Sequence, residues 1–369
     1  MKKIPYSRQS ISVEDIIQVS KTLKSDFLTT GPKIEEFEKK IAKYLNVKYA
    51  VCVNSATSAL HISCIILGLN KSSKFWTSAN SFVASANCGE LCGAKLDLVD
   101  ISLKDFNISM DIIKKKLKEK NKPKVIIPVH LAGYPCDLKK LYDLTKKFKI
   151  KILEDASHAF GVRKNHESIL NFGHLSILSF HATKVFNTFE GGAVICQTKE
   201  MKNQIDKLKN FGIESETSVL TAGINGKMSE FNSAFGLLQL KYIDEAISKR
   251  LEIDKMYTAS LNSIENLEPI IFSKALTSRN YSYFPILVKP SYPSSRDELY
   301  WKMKSNGVHP RRYFYPLINE FQMYKHLPSS ESNLMPVAKK TADEILCLPI
   351  YPDLDDSNVE FIVELLHPS

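Results

Sequence analysis

No apolar run among the 369 residues approaches the ~18 that a membrane-crossing helix requires, and no basic stretch followed by an apolar core opens the chain. A cytoplasmic location is therefore expected. The cysteines exclude a secreted disulfide scaffold: the seven, at 52, 64, 88, 92, 136, 196 and 347, are odd in number, form no CxxC pair and lie mostly in apolar segments. That usage suits reduced thiols in a cytosolic core. Cys88 and Cys92 share one helix face, but two thiols without nearby His or Cys partners make a weak metal site, so packing is expected and no metal. No GxGxxG follows the early strands, which argues against a nucleotide-dependent oxidoreductase. Internal repeats and low-complexity tracts are absent as well.

What the chain does have is a basic balance, with a formal net charge of +10 and a pI near 9.0. The lysines are scattered rather than gathered into a tail, and the densest cluster, "IIKKKLKEKNKPK" from Ile112 to Lys124, carries an apolar helical stripe. It reads as a solvated helix face, which speaks against nucleic acid and leaves a mild pull on anionic small molecules. At 44 % hydrophobic residues the chain can bury a large core.

Short apolar runs alternate with amphipathic segments along the first two-thirds. Ser12 and Asp15 stand at capping-box spacing before a helical pattern. A strand, a small polar turn and a helix follow in "YAVCVNSATSALHISCIILG". The unit recurs in "KFWTSANSFVASANCGELCG", in "KLDLVD" before a helix over Met110 to Lys120, in "KVIIPVH" before one over Leu138 to Phe148, and in "IKILEDASHAF". Such an order predicts an α/β fold with a mostly parallel sheet covered on both faces, whose chemistry lies at the carboxyl ends of the strands. From about Met228 the texture changes to a long helical stretch, and then to tyrosine- and proline-rich segments such as "NYSYFPILV" and "GVHPRRYFYPL". A large domain over 1–244 and a smaller α+β domain over 245–369 are expected.

The strand-end turns hold a chemical pattern. "SILSFHATKVFNTFEGGAVI" breaks a strand-like run at Lys184 and resumes it after two glycines. "EDASHAFG" puts Asp155 just past an apolar strand, where a carboxylate needs a cation or donors. "NSATS" offers free backbone N–H groups at a helix start, a setting that favours phosphate, and Ser179 adds a hydroxyl beside the lysine. Taken singly, each of these has an ordinary structural explanation. Together, a phosphate cradle, a buried acid and a strand-end lysine suit pyridoxal phosphate, the lysine forming the Schiff base and the acid keeping the ring nitrogen protonated.

Over nearly its whole length, from "IPYSRQSI" and "FLTTGPKIEEFE" to "LPIYPDL", the chain resembles the DegT-type sugar aminotransferases, a fold type I pyridoxal-phosphate family. "NSATSALH", "EDASHAFG", "SFHATKVFNTFEGGAV" and "INGKMSEFNSAFG" carry the resemblance. It implies Lys184 as the catalytic lysine, Asp155 against the ring nitrogen and His158 at the ring hydroxyl. It further implies Ala56, Thr57 and Ser179 on the phosphate, Phe82 stacked on the ring, and Asn225 reaching the phosphate of a neighbouring subunit in a homodimer with shared sites. For the nucleotide sugar it implies Tyr6, the loop Asp26, Phe27, Leu28 and Thr29, and Arg311, Arg312, Tyr313 and Phe314. "YSRQ" and "VHLAGYPCDL" resemble enzymes of pseudaminic acid synthesis that use a UDP-linked 4-keto-6-deoxy N-acetylhexosamine. "HATKVFNTFEGG", "NGKM" and "RRYFYP" look more like viosamine-type enzymes acting on a dTDP-linked 4-keto-6-deoxyglucose.

Both subgroups aminate position 4, with glutamate as donor, for surface glycan or nonulosonic acid biosynthesis. A 3-keto sugar aminotransferase and a non-catalytic protein on the same scaffold are the alternatives, while a dehydratase, which carries histidine in place of the lysine, is disfavoured by Lys184. His181 is expected to be structural and Glu190 to close a turn. Lys227 stands where many relatives have arginine, and so lacks the planar, bidentate donor fork.

Overall fold

The computed structural model describes residues 3–270 and 276–368. Its centre is a seven-stranded sheet of β1 (Tyr49–Val53), β2 (Lys74–Ser78), β3 (Lys95–Val99), β4 (Val125–Ile127), β5 (Lys151–Asp155), β6 (Leu175–Ser179) and β7 (Gly192–Cys196). The spatial order is β1-β7-β6-β5-β4-β2-β3. The strands from β6 to β3 pair in parallel, with Asp155 beside Ile177 and Trp76 beside Ile126. The exception is β7, antiparallel to both neighbours, with Ser179 opposite Gly192 on one side and Val53 opposite Gly192 on the other. Every residue of β6 and β7 is buried, as expected for strands covered on both faces.

Helices cover the sheet because their apolar residues recur at helical spacing. In α1 (Val13–Leu23) the capping box forms as expected, Ser12 Oγ accepting from Asp15 N at 3.1 Å and Asp15 Oδ2 from Ser12 N at 2.7 Å. In α2 (Pro32–Leu45) proline opens the first turn, and Ile34, Phe37, Ile41 and Leu45 form the buried stripe. Then come α3 (Ala56–Ile66), α4 (Ala84–Glu90), α5 (Met110–Lys116), α6 (Leu138–Thr145) and α7 (Lys199–Leu208). The helix expected to run to Lys120 stops at Lys116, where Leu117 N–H bonds back to Ile113 and Lys115 and three lysines complement the carbonyl end.

The boundary expected at 244/245 falls inside one continuous helix, α8 (Glu230–Leu261). Its beginning packs on α1 and α2, while Ile253, Tyr257 and Leu261 join the core of a second, antiparallel sheet. That sheet has β8 (Leu267–Pro269), β9 (Phe284–Val288) and β10 (Ile345–Leu348) in sequence order, backed by α9 (Arg296–Ser305), α10 (Pro336–Glu344) and α11 (Asp356–Leu366). Neither core respects a single cut. Ile4 enters the small core through bonds to Gly307 and His309, while Leu317, Ile318, Tyr324, Met335, Ala338 and Ala342 return to the large one. Among the described residues no helix is long and apolar enough to cross a membrane.

Candidate active site

The interruption at Lys184 is the reversal between β6 and β7. The chain leaves the sheet after Ser179, loops over and re-enters at Gly192, so the loop hangs at the carboxyl edge of the parallel strands. Backbone bonds close it, from Phe180 N to Gly191 O, Thr188 N to Phe180 O and Lys184 N to His181 O, each 2.9 Å. Beneath it Phe180 and Phe186 pack against Phe37 and Phe160, the Phe160 and Phe186 rings stacking 4.4 Å apart. The lysine is thus carried by a turn with an aromatic footing.

Asp155 ends β5 beside it and is 5 % exposed. Its carboxylate is held from two sides: Oδ2 accepts from Ser85 Oγ at 2.6 Å, and Oδ1 accepts from Ser157 Oγ at 2.6 Å and Ser157 N at 3.2 Å. Its backbone carbonyl accepts from His130 N at 3.0 Å, and the His130 ring meets Glu154 at 3.0 Å in a fully buried pair behind the strand. Burial of a carboxylate is tolerated because donors meet it.

The helix start at "NSATS" is the opposite wall. Ser55 caps α3 by accepting from Ser58 N, leaving the N–H groups of Ala56 and Thr57 at the cavity. Here Gly192 is required by space, since a Cβ on it would lie 2.7 Å from Ala56 N and 2.8 Å from Leu178 O. Gly192 therefore lets β7 pass close under the helix terminus.

Lys184 Nζ donates to the Tyr283 hydroxyl at 3.2 Å. The side chain is half-buried, and crowding of its amino group by protein pulls the pKa down from 10.5 to about 8, a shift that the nearby Asp155 partly opposes. Burial, with Lys184 and His130 nearby, holds His158 well below the usual imidazole range. The His158 ring lies 4.8 Å from Tyr283 and stacks on Phe314 at 6.1 Å, and its Nδ1 has no partner within the protein.

A single cavity of about 240 Å³ thus gathers Ala56, Thr57, Phe82, Asp155, His158, Ser179, Lys184, Tyr313 and Phe314. Phe82 stands on its rim with 62 % of its surface exposed, an apolar ring left uncovered at the mouth. Tyr6 is behind the wall, buried 5.5 Å from Tyr313 and 6.1 Å from Tyr283, and Arg311 lies exposed over its ring. Arg312 is not at the cavity, because its Nη1 is bonded to Asp297 at 2.8 Å and its guanidinium covers Tyr300 and Tyr315. Asp26 to Thr29 are exposed and also outside it, tied instead to α8 by the bond from Glu230 N to Leu28 O. Asn225 is exposed beside the residues that lead into α3, its carbonyl accepting from Asn54 Nδ2 at 2.9 Å. Lys227 bonds Asn210 at 2.9 Å and lies over the Phe211 ring.

Sequence reasoning missed Tyr283, Ser85 and Ser157, and it set aside His181 and Glu190, which line the cavity 3.7 Å apart. Ser157 carried a usable signal, two residues past the acid. Tyr283 carried none, for it meets Lys184 from 99 residues away.

Comparison with known proteins agrees with this geometry. A dTDP-4-amino-4,6-dideoxy-D-glucose transaminase of Shigella dysenteriae is 42 % identical over 340 residues, 92 % of this chain and 91 % of that protein. A UDP-4-amino-4,6-dideoxy-N-acetyl-beta-L-altrosamine transaminase of Campylobacter jejuni is 32 % identical, with 98 % and 96 % covered. Among solved structures, the Helicobacter pylori aminotransferase PseC, involved in the biosynthesis of pseudoaminic acid, superposes with a TM-score of 0.89 at 26 % identity, covering 99 % of this chain and 98 % of that one. The PLP form of a sugar aminotransferase of Streptococcus pneumoniae superposes with a TM-score of 0.91 at 26 % identity, over the same shares. The family model described as the DegT/DnrJ/EryC1/StrS aminotransferase family matches residues 9–367, and the chain, an aminotransferase, belongs to that family.

Proposed function

We propose that the protein uses pyridoxal phosphate to move an amino group from glutamate to the position 4 ketone of a nucleotide-linked 4-keto-6-deoxy sugar. The dTDP-linked glucose type is favoured over the UDP-N-acetylhexosamine type, because the relative at 42 % identity bears the former name and the one at 32 % the latter. The observation that carries the chemistry is that one cavity brings together the Lys184 amine, the Asp155 carboxylate and a helix start with free N–H groups.

The residues present fit the cofactor. The unpartnered His158 Nδ1 awaits a polar group, and Gly192 keeps open the space under Ala56 N. Ala56, Thr57 and Ser179 would hold the phosphate, Asp155 the ring nitrogen, His158 the ring hydroxyl and Phe82 one ring face. When bound, pyridoxal phosphate supplies a cationic ring that takes up the electron pair released at the substrate carbon. The amine of Lys184 then removes the proton from the donor's α-carbon and, in the second half-reaction, delivers one to the sugar carbon, a transfer worth about two to four powers of ten. Tyr283 steers that amine by accepting its N–H. Glutamate leaves as 2-oxoglutarate before the keto sugar enters.

The attacking form of Lys184 is the neutral amine, and a lowered pKa brings that form to lower pH. Cofactor capture by stripped protein is therefore expected to rise with pH and level off above about 8. Stopped-flow absorbance measures this, and a rise that continues toward pH ~10.4, the ordinary lysine value, contradicts it.

Asn225 and the loop Asp26 to Thr29, exposed outside their own cavity, support a homodimer in which each chain completes its partner's site. Mixed Lys184→Ala and Asn225→Ala subunits should then show more activity than the sum of the two variants, and no gain would dismiss the shared site. The substrate is tested by offering glutamate with dTDP- and UDP-linked 4-keto-6-deoxy sugars and reading the products by mass spectrometry. Amination of the dTDP sugar is expected. A gain only by a 3-keto isomer refutes the position, and no amination of any sugar refutes the reading.

A further inference from the structure

We propose that His181 and Glu190 form a hydroxyl clamp for the keto sugar, gripping the hydroxyl next to its reacting ketone and serving only the second half-reaction. The inference rests on the sugar reading given above. Both residues stand on the β6–β7 reversal that carries Lys184, both line the cavity, and both side chains are exposed at its mouth. A substrate joined to a cofactor held deeper inside comes to lie there.

The backbone of the pair is tied down while its polar ends are free. His181 O accepts from Lys184 N at 2.9 Å. Glu190 O accepts from Thr188 Oγ1 at 2.7 Å and Asn232 Nδ2 at 3.2 Å, so Glu190 closes a turn as expected. His181 also does the structural work expected of it, but with one nitrogen only: Thr183 N donates to Nδ1 at 3.3 Å, and Thr183 Oγ1 lies 2.9 Å from the same atom. A backbone N–H can only donate, so Nδ1 is an acceptor and the proton of the neutral ring is on Nε2. Nε2 faces Glu190 Oε1 at 3.7 Å, too far for a hydrogen bond. Among the described residues, neither Nε2 nor the Glu190 carboxylate makes a hydrogen bond within the protein.

A donor and an acceptor thus stand side by side, unused, next to the reacting lysine. A hydroxyl matches them, because it accepts from Nε2–H and donates to the carboxylate at the same time. A carboxylate does not, since it has no proton to give and Glu190 repels it. An ammonium has no lone pair for the imidazole. Glutamate therefore gains nothing from the pair, whereas a 4-keto-6-deoxy sugar carries a hydroxyl on position 3, beside the carbon that Lys184 serves. Most other polar groups of the wall are already engaged, Asp155 by Ser85 and Ser157, Ser55 by Ser58 and Lys184 by Tyr283.

The test uses full-length, cofactor-loaded protein and follows each half-reaction alone by stopped-flow absorbance, with glutamate and with the dTDP- or UDP-linked 4-keto-6-deoxy sugar that the natural protein accepts. His181→Asn keeps an acceptor for Thr183 N and removes the outward donor, and Glu190→Ala removes a carboxylate that holds nothing else. The sugar step should slow about 10- to 100-fold in Glu190→Ala, the range for a hydrogen bond to a charged group, and about three- to tenfold in His181→Asn, the range for a neutral one. The glutamate step should be spared. Binding of the amino-sugar product to protein loaded with pyridoxamine phosphate, read by calorimetry, should weaken by similar factors. The 3-deoxy analogue of the sugar should react more slowly with the natural protein, and Glu190→Ala should then add no further loss, because both changes delete the same bond. Equal losses in the two half-reactions, or a further loss on the 3-deoxy sugar, would overturn this inference alone. Amination of no sugar by the natural protein would overturn the sugar reading with it.

Discussion

Lys184→Ala is expected to lower transamination by about four powers of ten or more, since both proton transfers lose their base, and to abolish the visible absorption of lysine-bound cofactor. The loss should be chemical rather than structural. The turn that carries position 184 is held by its backbone N–H to His181 O and by the Phe160–Phe186 stack, both of which alanine retains. Thermal unfolding should therefore stay near that of the natural chain. Three measurements check this: turnover with an amino donor, the absorption spectrum of the loaded protein, and borohydride trapping followed by peptide mapping. A variant that keeps its spectrum or traps cofactor elsewhere would remove position 184 from the chemistry.

Asp155→Asn should produce the second largest loss, about 10²–10³-fold in turnover, the range seen when one preorganised electrostatic partner of a reacting group is removed. The amide fits the same space and still accepts from one serine, but it places no charge opposite the cofactor. Asp155 also raises the pKa of Lys184 against the effect of burial. Removing the charge therefore moves that pKa further down, and the pH at which capture levels off should fall below about 8. Turnover and capture thus change in ways that a merely loosened fold would not mimic. Full turnover in the Asp155→Asn variant, or an unshifted capture profile, would contradict the placement of this carboxylate.

Much of the molecule could be read locally. Ser12 and Asp15 cap α1 as their spacing implies, and Ile34, Phe37, Ile41 and Leu45 bury the stripe they spell out. Lys184, Asp155 and the start of α3 were recognisable because each stands where a strand ends, and strand ends on one edge of a parallel sheet necessarily converge. The antiparallel insertion of β7 was not predicted. The boundary expected at 244/245 lies inside a helix of 32 residues, and segments from both ends cross between the cores.

The sequence by itself determined the strand and helix alternation, the lysine at the sheet reversal and the acid beside it, since these rest on spacings of a few residues that torsional preference and burial enforce locally. Only the tertiary structure decided that Tyr283 would accept from the lysine, that Ser85 would hold the acid, and that Arg312 would direct its charge to Asp297. Those contacts join residues far apart in the chain. Their partners are chosen by how whole faces of helices and sheets pack together, which no local spacing records.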